Sequence, residues 1–196
     1  MTVSALLPFA IGYLLGAIPF GLILTALAGK GDIRAIGSGN IGATNVLRTG
    51  SKGLAAATLI LDVLKGAAAV LVAQRYFPGY EIAAAAGALV GHLYSMWLRF
   101  QGGKGVATLL GILIPLLPLA AIVYAVVWLG LLVTLRISSV AGMSAAVSAP
   151  IVALVTGRMD LVPALAVFAL LVIYKHRENI ARLRNGTEPR VGRSRA

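Results

Sequence analysis

The stretch that decides the fold is residues 106–135, VATLLGILIPLLPLAAIVYAVVWLGLLVTL, which carries no charged side chain. A helix rises 1.5 Å per residue and the hydrocarbon core of a bilayer is about 30 Å thick, so one crossing takes roughly 20 apolar residues. The stretch is too long for one upright span and short for two. Pro115 and Pro118 divide it, and proline ends or bends a helix because it has no N–H to donate and its ring meets the preceding turn. The reading adopted is two helices, 106–117 and 118–135, the first too short to cross the full core. The basic residues decide between the alternatives. A single helix here would put Arg136 and the whole Arg-rich C-terminal segment outside, against the rule that Lys and Arg stay on the cytoplasmic side.

Working outward, apolar segments are predicted at 4–28, 53–75, 81–99, 140–156 and 160–175 as well, giving seven transmembrane helices. The expected fold is an all-α polytopic membrane protein with its N-terminus outside and its C-terminus cytoplasmic. This topology places Lys30, Arg34, Arg48, Lys52, Arg99, Lys104, Arg136 and the basic C-terminal segment inside, and leaves only Arg75 and Arg158 outside. Residues 1–188 are expected to form one seven-helix membrane domain with a cytoplasmic-face active site and re-entrant-like glycine-rich loops. Residues 189–196 read as a basic, disordered tail. The segment Met1-Thr2-Val3-Ser4 has no basic run before its apolar stretch, so it is read as the start of a retained helix and not as a signal peptide.

Composition agrees with a membrane environment. Of 196 residues, 59% are hydrophobic and 12% charged, and the mean hydropathy is +0.93. A soluble domain is about 45–50% apolar and about 25% charged, and could not hide this much apolar surface. There is no cysteine, which excludes disulfides and thiol catalysis. The two histidines, His92 and His176, are far apart with no metal-ligand spacing, so no metal site and no cofactor are expected. The net charge of +11 lies between and after the apolar runs, which suits anionic lipid and not nucleic acid. Asp62 and Lys65 stand inside the second apolar segment at a spacing that lets them face each other. They read first as a neutralising pair and second as a wall of the active site.

Three polar clusters fall on the cytoplasmic side. The first is Gly37-Ser38-Gly39-Asn40-Ile41-Gly42-Ala43-Thr44-Asn45-Val46-Leu47-Arg48. Its glycines bring backbone N–H groups close to a ligand, its hydroxyls and amides add donors, and the planar fork of Arg48 matches a phosphate. Its plainer reading is a flexible turn with a helix cap. The second runs Arg99-Phe100-Gln101-Gly102-Gly103-Lys104-Gly105-Val106-Ala107-Thr108, a glycine-rich turn with a lysine leading into a helix, whose free N–H groups and dipole attract anions. The spacing is not that of a Walker loop. The third is residues 175–188, with His176, Asn179, Arg182, Arg184 and Glu188; its plainer reading is a basic amphipathic helix on anionic headgroups. Arg136-Ile137-Ser138-Ser139 adds hydroxyls, one of which is expected to cap a helix. His92 is read as a hydrogen-bonded structural residue or as a general base. Tyr94 and Trp97 read as interfacial anchors.

This inventory is rich in cations, hydroxyls and amides and poor in carboxylates. It suits a phosphate-bearing substrate and argues against a magnesium-dependent phosphotransferase, which needs several Asp or Glu ligands. The acyltransferase motif with Asp five residues after His is absent, because Trp97 follows His92 and Ala181 follows His176 at that distance.

The three motifs in this order resemble the bacterial membrane glycerol-3-phosphate acyltransferases that use acyl phosphate as donor. The resemblance rests on 37–48, on Gly91-His92 with 102–108, and on His176-Arg177-Glu178-Asn179-Ile180 with Arg184 and Glu188, and it covers nearly the whole chain. It implies transfer of a fatty acyl group from acyl phosphate to the 1-hydroxyl of glycerol 3-phosphate. The products would be lysophosphatidic acid and phosphate, in the first step of phospholipid synthesis at the bacterial inner (plasma) membrane. On that basis Ser38, Arg48, Lys104, His176 and Asn179 are the expected catalytic residues. Gly37, Gly39, Asn40, Gly42, Thr44, Asn45, Gly102, Gly103, Gly105, Thr108, Ser139 and Glu188 are expected to bind substrate or phosphate, and His92 is a further candidate. The expected partners are the two substrates, membrane lipid and the enzyme that supplies acyl phosphate, with no nucleic acid. Two other classes compete: a transporter or channel for a phosphate-bearing anion, and a membrane scaffold anchored by its basic tail.

Overall fold

The computed structural model describes residues 3–37 and 39–192. Residues 1–2, Ser38 and residues 193–196 lie outside the described residues. All regular elements among the described residues are helical, and the chain forms two compact units that divide between Leu116 and Leu117.

The first unit holds α1 (Val3–Ala17), α2 (Phe20–Leu27), α3 (Ala43–Val46), α4 (Lys52–Tyr76), α5 (Glu81–Leu93) and α6 (Val106–Leu116). Helix α4 is its centre, packed on α1, α2, α3, α5 and α6. Small residues make the tightest helix pairs. Gly12 and Gly16 of α1 lie directly on the Ala84 and Ala88 backbone of α5, while Gly87 and Gly91 of α5 lie on Phe9 and Tyr13 of α1. The pair α4–α6 repeats this device, with Gly66 on Thr108 and Gly111 on Val63. In a bilayer the lipid tails are as apolar as leucine, so such close backbone approach is what holds helices together. A Cβ at any of these glycines would strike backbone.

The apolar segment expected as one span over 4–28 is one stretch long enough to cross, Ser4–Leu27, built from two helices. Pro19 breaks it, because the ring cannot continue the hydrogen-bond ladder, and α2 restarts with Leu22 N–H donating to the Pro19 carbonyl at 3.0 Å. The segment expected over 81–99 is α-helical only to Leu93; the chain then turns through residues 94–105, with a single 3-10 turn at Met96–Leu98, to reach α6.

The second unit holds α7 (Pro118–Leu135), α8 (Ser138–Val155), α9 (Val162–Lys175) and α10 (Arg177–Arg184). Helix α8 packs on α7 and α9, and α10 on α9. Two helices separated at Leu117, with Pro118 in the first turn of the second, replace the single long helix that 106–135 could have formed. The segment after α10 folds back within this unit, where the Val191 N–H donates to the Arg136 carbonyl at 2.7 Å.

Among the described residues, four helical stretches are long and apolar enough to cross a membrane: Ser4–Leu27, Lys52–Tyr76, Pro118–Leu135 and Ser138–Val155. Helices α6 and α9 are apolar but shorter. Large apolar side chains such as Leu64, Leu71, Ile122, Val133 and Leu170 are exposed along these helices. In water they would form large sticky patches; in lipid they are solvated.

Candidate active site

The first loop is not a loose turn. Ile33 and Val46 are fully buried with Ala55, and Leu22, Leu47 and Leu54 cover them, so an apolar plug fixes the loop to α2 and α4. Asn45, also buried, braces the turn from inside. Its Nδ2 donates to the Ile33 carbonyl at 2.7 Å and the Ile36 carbonyl at 3.2 Å. Its Oδ1 accepts from Arg48 Nη1 at 3.2 Å. Asn45 therefore positions the Arg48 guanidinium, a role that its expected place among the phosphate binders did not include. Gly37 has φ 59° and sits against both Arg48 and Asn45, where a side chain would displace them. Arg48 itself is exposed and Thr44 half-buried. Asn40 turns its Oδ1 onto the following N–H of Ile41 at 2.8 Å. Arg34, at the loop's start, is engaged by Asp32 at 2.6 Å, and the Arg34 hydrogen bond holds the Asp32 carboxyl below its ordinary range.

The second loop hangs from the end of α5. Gly103 N–H donates to the His92 carbonyl at 2.9 Å and Gly102 N–H to the Leu93 carbonyl at 3.2 Å. Both glycines touch these residues so closely that a Cβ would collide, at Gly103 with the His92 ring itself. Arg99 and Phe100 precede them with φ of 50° and 63°, left-handed conformations that cost about 1–3 kcal/mol each in a residue with a Cβ. The turn is pinned so that it keeps them. Ser95 Oγ donates to the Ala17 carbonyl at 2.7 Å, Tyr13 Oη to the Tyr94 carbonyl at 2.8 Å, and Phe100 N–H to the Ser95 carbonyl at 2.9 Å. Gly105, φ 84°, turns the chain into α6 and accepts from Leu109 N–H at 2.8 Å. Gly103 and Gly105 are buried and Lys104 between them is half-buried. Thr108, in the first turn of α6, has a fully buried hydroxyl with no hydrogen-bond partner among the described residues.

The second unit organises its own polar cluster around Glu188. Its Oε1 accepts from Ser139 Oγ and Asn179 Nδ2, both at 2.6 Å, and its Oε2 accepts from Arg182 Nε at 2.8 Å. Burial pulls this carboxyl's pKa upward, but the hydrogen bonds from Ser139, Asn179 and Arg182 outweigh it and hold the group below its ordinary value. Asn179 and His176 are both buried, and His176 Nδ1 lies 2.7 Å from the Val172 carbonyl, which fixes the ring on α9. Neither serine at the start of α8 caps that helix: the N-cap is Ile137 with no side-chain cap. Ser139 donates its hydroxyl to Glu188, a charge-assisted bond stronger than a neutral one.

The expected residues thus fall into two groups. Gly37, Asn45 and Arg48 are together in the first unit, as are His92, Gly102 and Gly103; Ser139, His176, Asn179 and Glu188 belong to the second, where Arg182 joins them. Ser38 lies outside the described residues. The sequence places Asp62 and Lys65 as a neutralising pair or a wall of the active site, without connecting them to His92. Their contacts are to residues distant in the chain, so only the side-chain chemistry of a charged pair in an apolar segment could have pointed to them. No group of three or more His, Cys, Asp or Glu among the described residues is arranged to hold a metal ion.

Apolar helices long enough to cross a bilayer, with glycine-rich polar loops between them, mark the class of an integral membrane protein. The glycerol-3-phosphate acyltransferase family model matches residues 6–186, and the chain belongs to that family. It is 53% identical to the glycerol-3-phosphate acyltransferase of Mesorhizobium japonicum over 98% of both chains. It is 57% identical to the enzyme of that name from Erythrobacter litoralis over 93% of this chain and 92% of the relative. Among solved structures it resembles PlsY, described as an integral membrane glycerol 3-phosphate acyltransferase. The glycerol 3-phosphate form matches with a TM-score of 0.91 at 39% identity over 96% of both chains. The lysophosphatidic acid form matches with a TM-score of 0.86 at 36% identity over 95% of both.

Proposed function

We propose that this protein transfers a fatty acyl group from acyl phosphate to the 1-hydroxyl of glycerol 3-phosphate, releasing lysophosphatidic acid and inorganic phosphate. The observation that carries the reading is the near-complete likeness to an acyltransferase solved with glycerol 3-phosphate. The loops supply chemistry that fits it. Arg48, held in place by Asn45, and Lys104 bind the phosphate of glycerol 3-phosphate. The Gly105 N–H and the start of α6 take the acyl-phosphate headgroup, with the buried Thr108 hydroxyl on the same helix start, while the Gly102 and Gly103 N–H groups tie the turn to the end of α5. Ser38 orients the hydroxyl that reacts. In the second unit His176 and Asn179 are required for turnover, and Glu188 serves by fixing Asn179 and Arg182. A carboxylate repels phosphate, so it supports donors better than it binds the ligand.

An acyl phosphate is an activated mixed anhydride and needs little covalent help. The 1-hydroxyl oxygen attacks the acyl carbon, the bond from that carbon to the bridging phosphate oxygen breaks, and phosphate leaves with its electron pair. Cations and backbone donors stabilise the oxyanion and the departing phosphate. The hydroxyl proton passes to a substrate phosphate oxygen, and no Ser-His-Asp arrangement is invoked.

The topology belongs to the same proposal: seven spans in the bacterial inner membrane, N-terminus outside, C-terminus and chemistry on the cytoplasmic face. The distribution of Lys and Arg supports it. So does the substrate, since the acyl donor is greasy and must arrive from the bilayer. Purified protein in detergent tests the function. Formation of lysophosphatidic acid without any compartment supports acyl transfer, and binding of the phosphate ester without product over hours would favour transport.

A further inference from the structure

The middle of α4 buries a charged pair that the reaction above does not use. Lys65 Nζ lies 2.8 Å from Asp62 Oδ1, with side-chain exposures of 2% and 5%. The ammonium makes two further contacts: it donates to the Ile18 carbonyl at 2.8 Å and faces the Phe20 ring at 5.8 Å. Ile18 and Phe20 flank Pro19, so Lys65 grips the break between α1 and α2. The same Asp62 Oδ1 lies 3.9 Å from His92 Nδ1. The opposite edge of the His92 ring, at Nε2, lies directly against Gly103, and the His92 carbonyl accepts from the Gly103 N–H at 2.9 Å. A continuous line of contacts therefore runs from the α1–α2 break through Lys65, Asp62 and the His92 ring to the glycine-rich turn.

We propose that Asp62 and Lys65 are positioning residues for the Gly102–Gly105 turn, holding the His92 ring against Gly103 so that the turn keeps Lys104 and the start of α6 in place for phosphate. The inference rests on the reading of that turn as the acyl-donor site. Its physical basis is the cost of the arrangement. Charges are expensive in a membrane-spanning helix, and an apolar pair of the same volume commonly packs as well as a buried ion pair or better. Helix α4 already has Gly66 and the Ala67, Ala69 and Val70 surface for packing. What an apolar pair cannot supply is a fixed point charge beside a histidine and a side-chain donor for the Ile18 carbonyl at the helix break, whose backbone partner is the Phe20 N–H at 3.2 Å. A carboxylate near Nδ1 favours one orientation of the ring, and the ring has no freedom on its other side because Gly103 is there.

The test is the neutral double variant D62N/K65M, purified in detergent beside wild type and assayed for lysophosphatidic acid with glycerol 3-phosphate and acyl phosphate. The expected result is a single folded species with wild-type elution, a KM for acyl phosphate raised at least tenfold, and a smaller change in kcat. D62N combined with Gly103→Ala is expected to lose less than the product of the two separate losses, because both move the same ring. A folded D62N/K65M protein with wild-type KM overturns the proposal. So does a double variant that no longer elutes as a folded species, since that assigns the pair to fold stability, and so do multiplicative losses in the combined variant. Wild-type protein that makes no lysophosphatidic acid refutes the functional reading and removes both; an active wild type with an unaffected variant refutes the positioning role alone.

Discussion

Replacing Glu188 with Gln keeps the shape of the second unit's hub and removes its charge. Three donors converge on this carboxylate, from Ser139, Asn179 and Arg182, at 2.6, 2.6 and 2.8 Å. A hydrogen bond to a charged group contributes about 1.5–3 kcal/mol and a neutral one about 0.5–1.5 kcal/mol. The amide can keep its carbonyl toward Ser139 and Asn179, losing about 1 kcal/mol on each bond. Its NH2 then faces Arg182 Nε, donor against donor. That third bond is lost, discounted because the Arg182 side chain is 28% exposed. The sum is about 2–4 kcal/mol of local stability, which at 1.4 kcal/mol per decade lowers amide-exchange protection of α10 by roughly 30- to 1,000-fold. Hydrogen exchange read by mass spectrometry on peptides covering 177–185 measures it, with α4 peptides as an internal control that stays unchanged. Turnover should fall with it, because Asn179 loses its anchor. The pH dependence has a definite sign. The folded-state pKa of Glu188 lies below its ordinary value of 4.5, so the stabilisation is complete above that value and fades as pH falls below it through the depressed folded pKa. E188Q should abolish this acid-induced loosening. Unchanged protection of α10 in E188Q would refute the view that Glu188 holds the segment.

Asn45→Ala should leave the buried Ile33 carbonyl and the Ile36 carbonyl without their side-chain donor, destabilising the first loop by about 1–3 kcal/mol; a raised KM for glycerol 3-phosphate with a nearly normal melting curve is the expected signature, since Arg48 loses its brace. Gly103→Ala forces a methyl into the His92 ring and should cost about 1–3 kcal/mol as an overpacked contact, seen as a lower melting temperature and a weakened acyl-donor KM. Neutral replacement of His92 or His176 should lower the rate without moving the pH–rate profile, because a substrate phosphate takes the proton; a profile that loses its acid limb in one variant would make that histidine the base.

The helices were legible because hydropathy over a long window is a direct physical signal: every apolar segment from 53–75 onward contains a helix, and Pro118 marks a real break. The break at Pro19 was equally written in the sequence, yet the apolar run on both sides concealed it. The glycine pairs Gly12–Gly16 and Gly87–Gly91, each four residues apart on one helix face, also announce a close helix crossing, but which helix meets which cannot be read from one segment alone. The polar loops were legible as collections of donors. Their internal division of labour was not, because it depends on contacts between distant residues. Lys65 reaches a carbonyl 47 positions away, and Ser139 meets Glu188 across 49. The i,i+3 spacing of Asp62 and Lys65 revealed the ion pair, while the third member, His92, comes from another helix. Asn45 looked like a ligand group because an amide beside glycines fits phosphate; the fold uses that amide to hold up the loop and Arg48.

The central claim, acyl transfer from acyl phosphate to glycerol 3-phosphate, is tested most directly by product stoichiometry. Purified protein is given glycerol 3-phosphate with acyl phosphate, acyl-CoA or acyl carrier protein as separate donors, and lysophosphatidic acid and inorganic phosphate are measured together. The account predicts turnover with acyl phosphate alone and one phosphate released per lysophosphatidic acid formed. Turnover with acyl-CoA or acyl carrier protein in place of acyl phosphate, or phosphate release without acylated product, would contradict it.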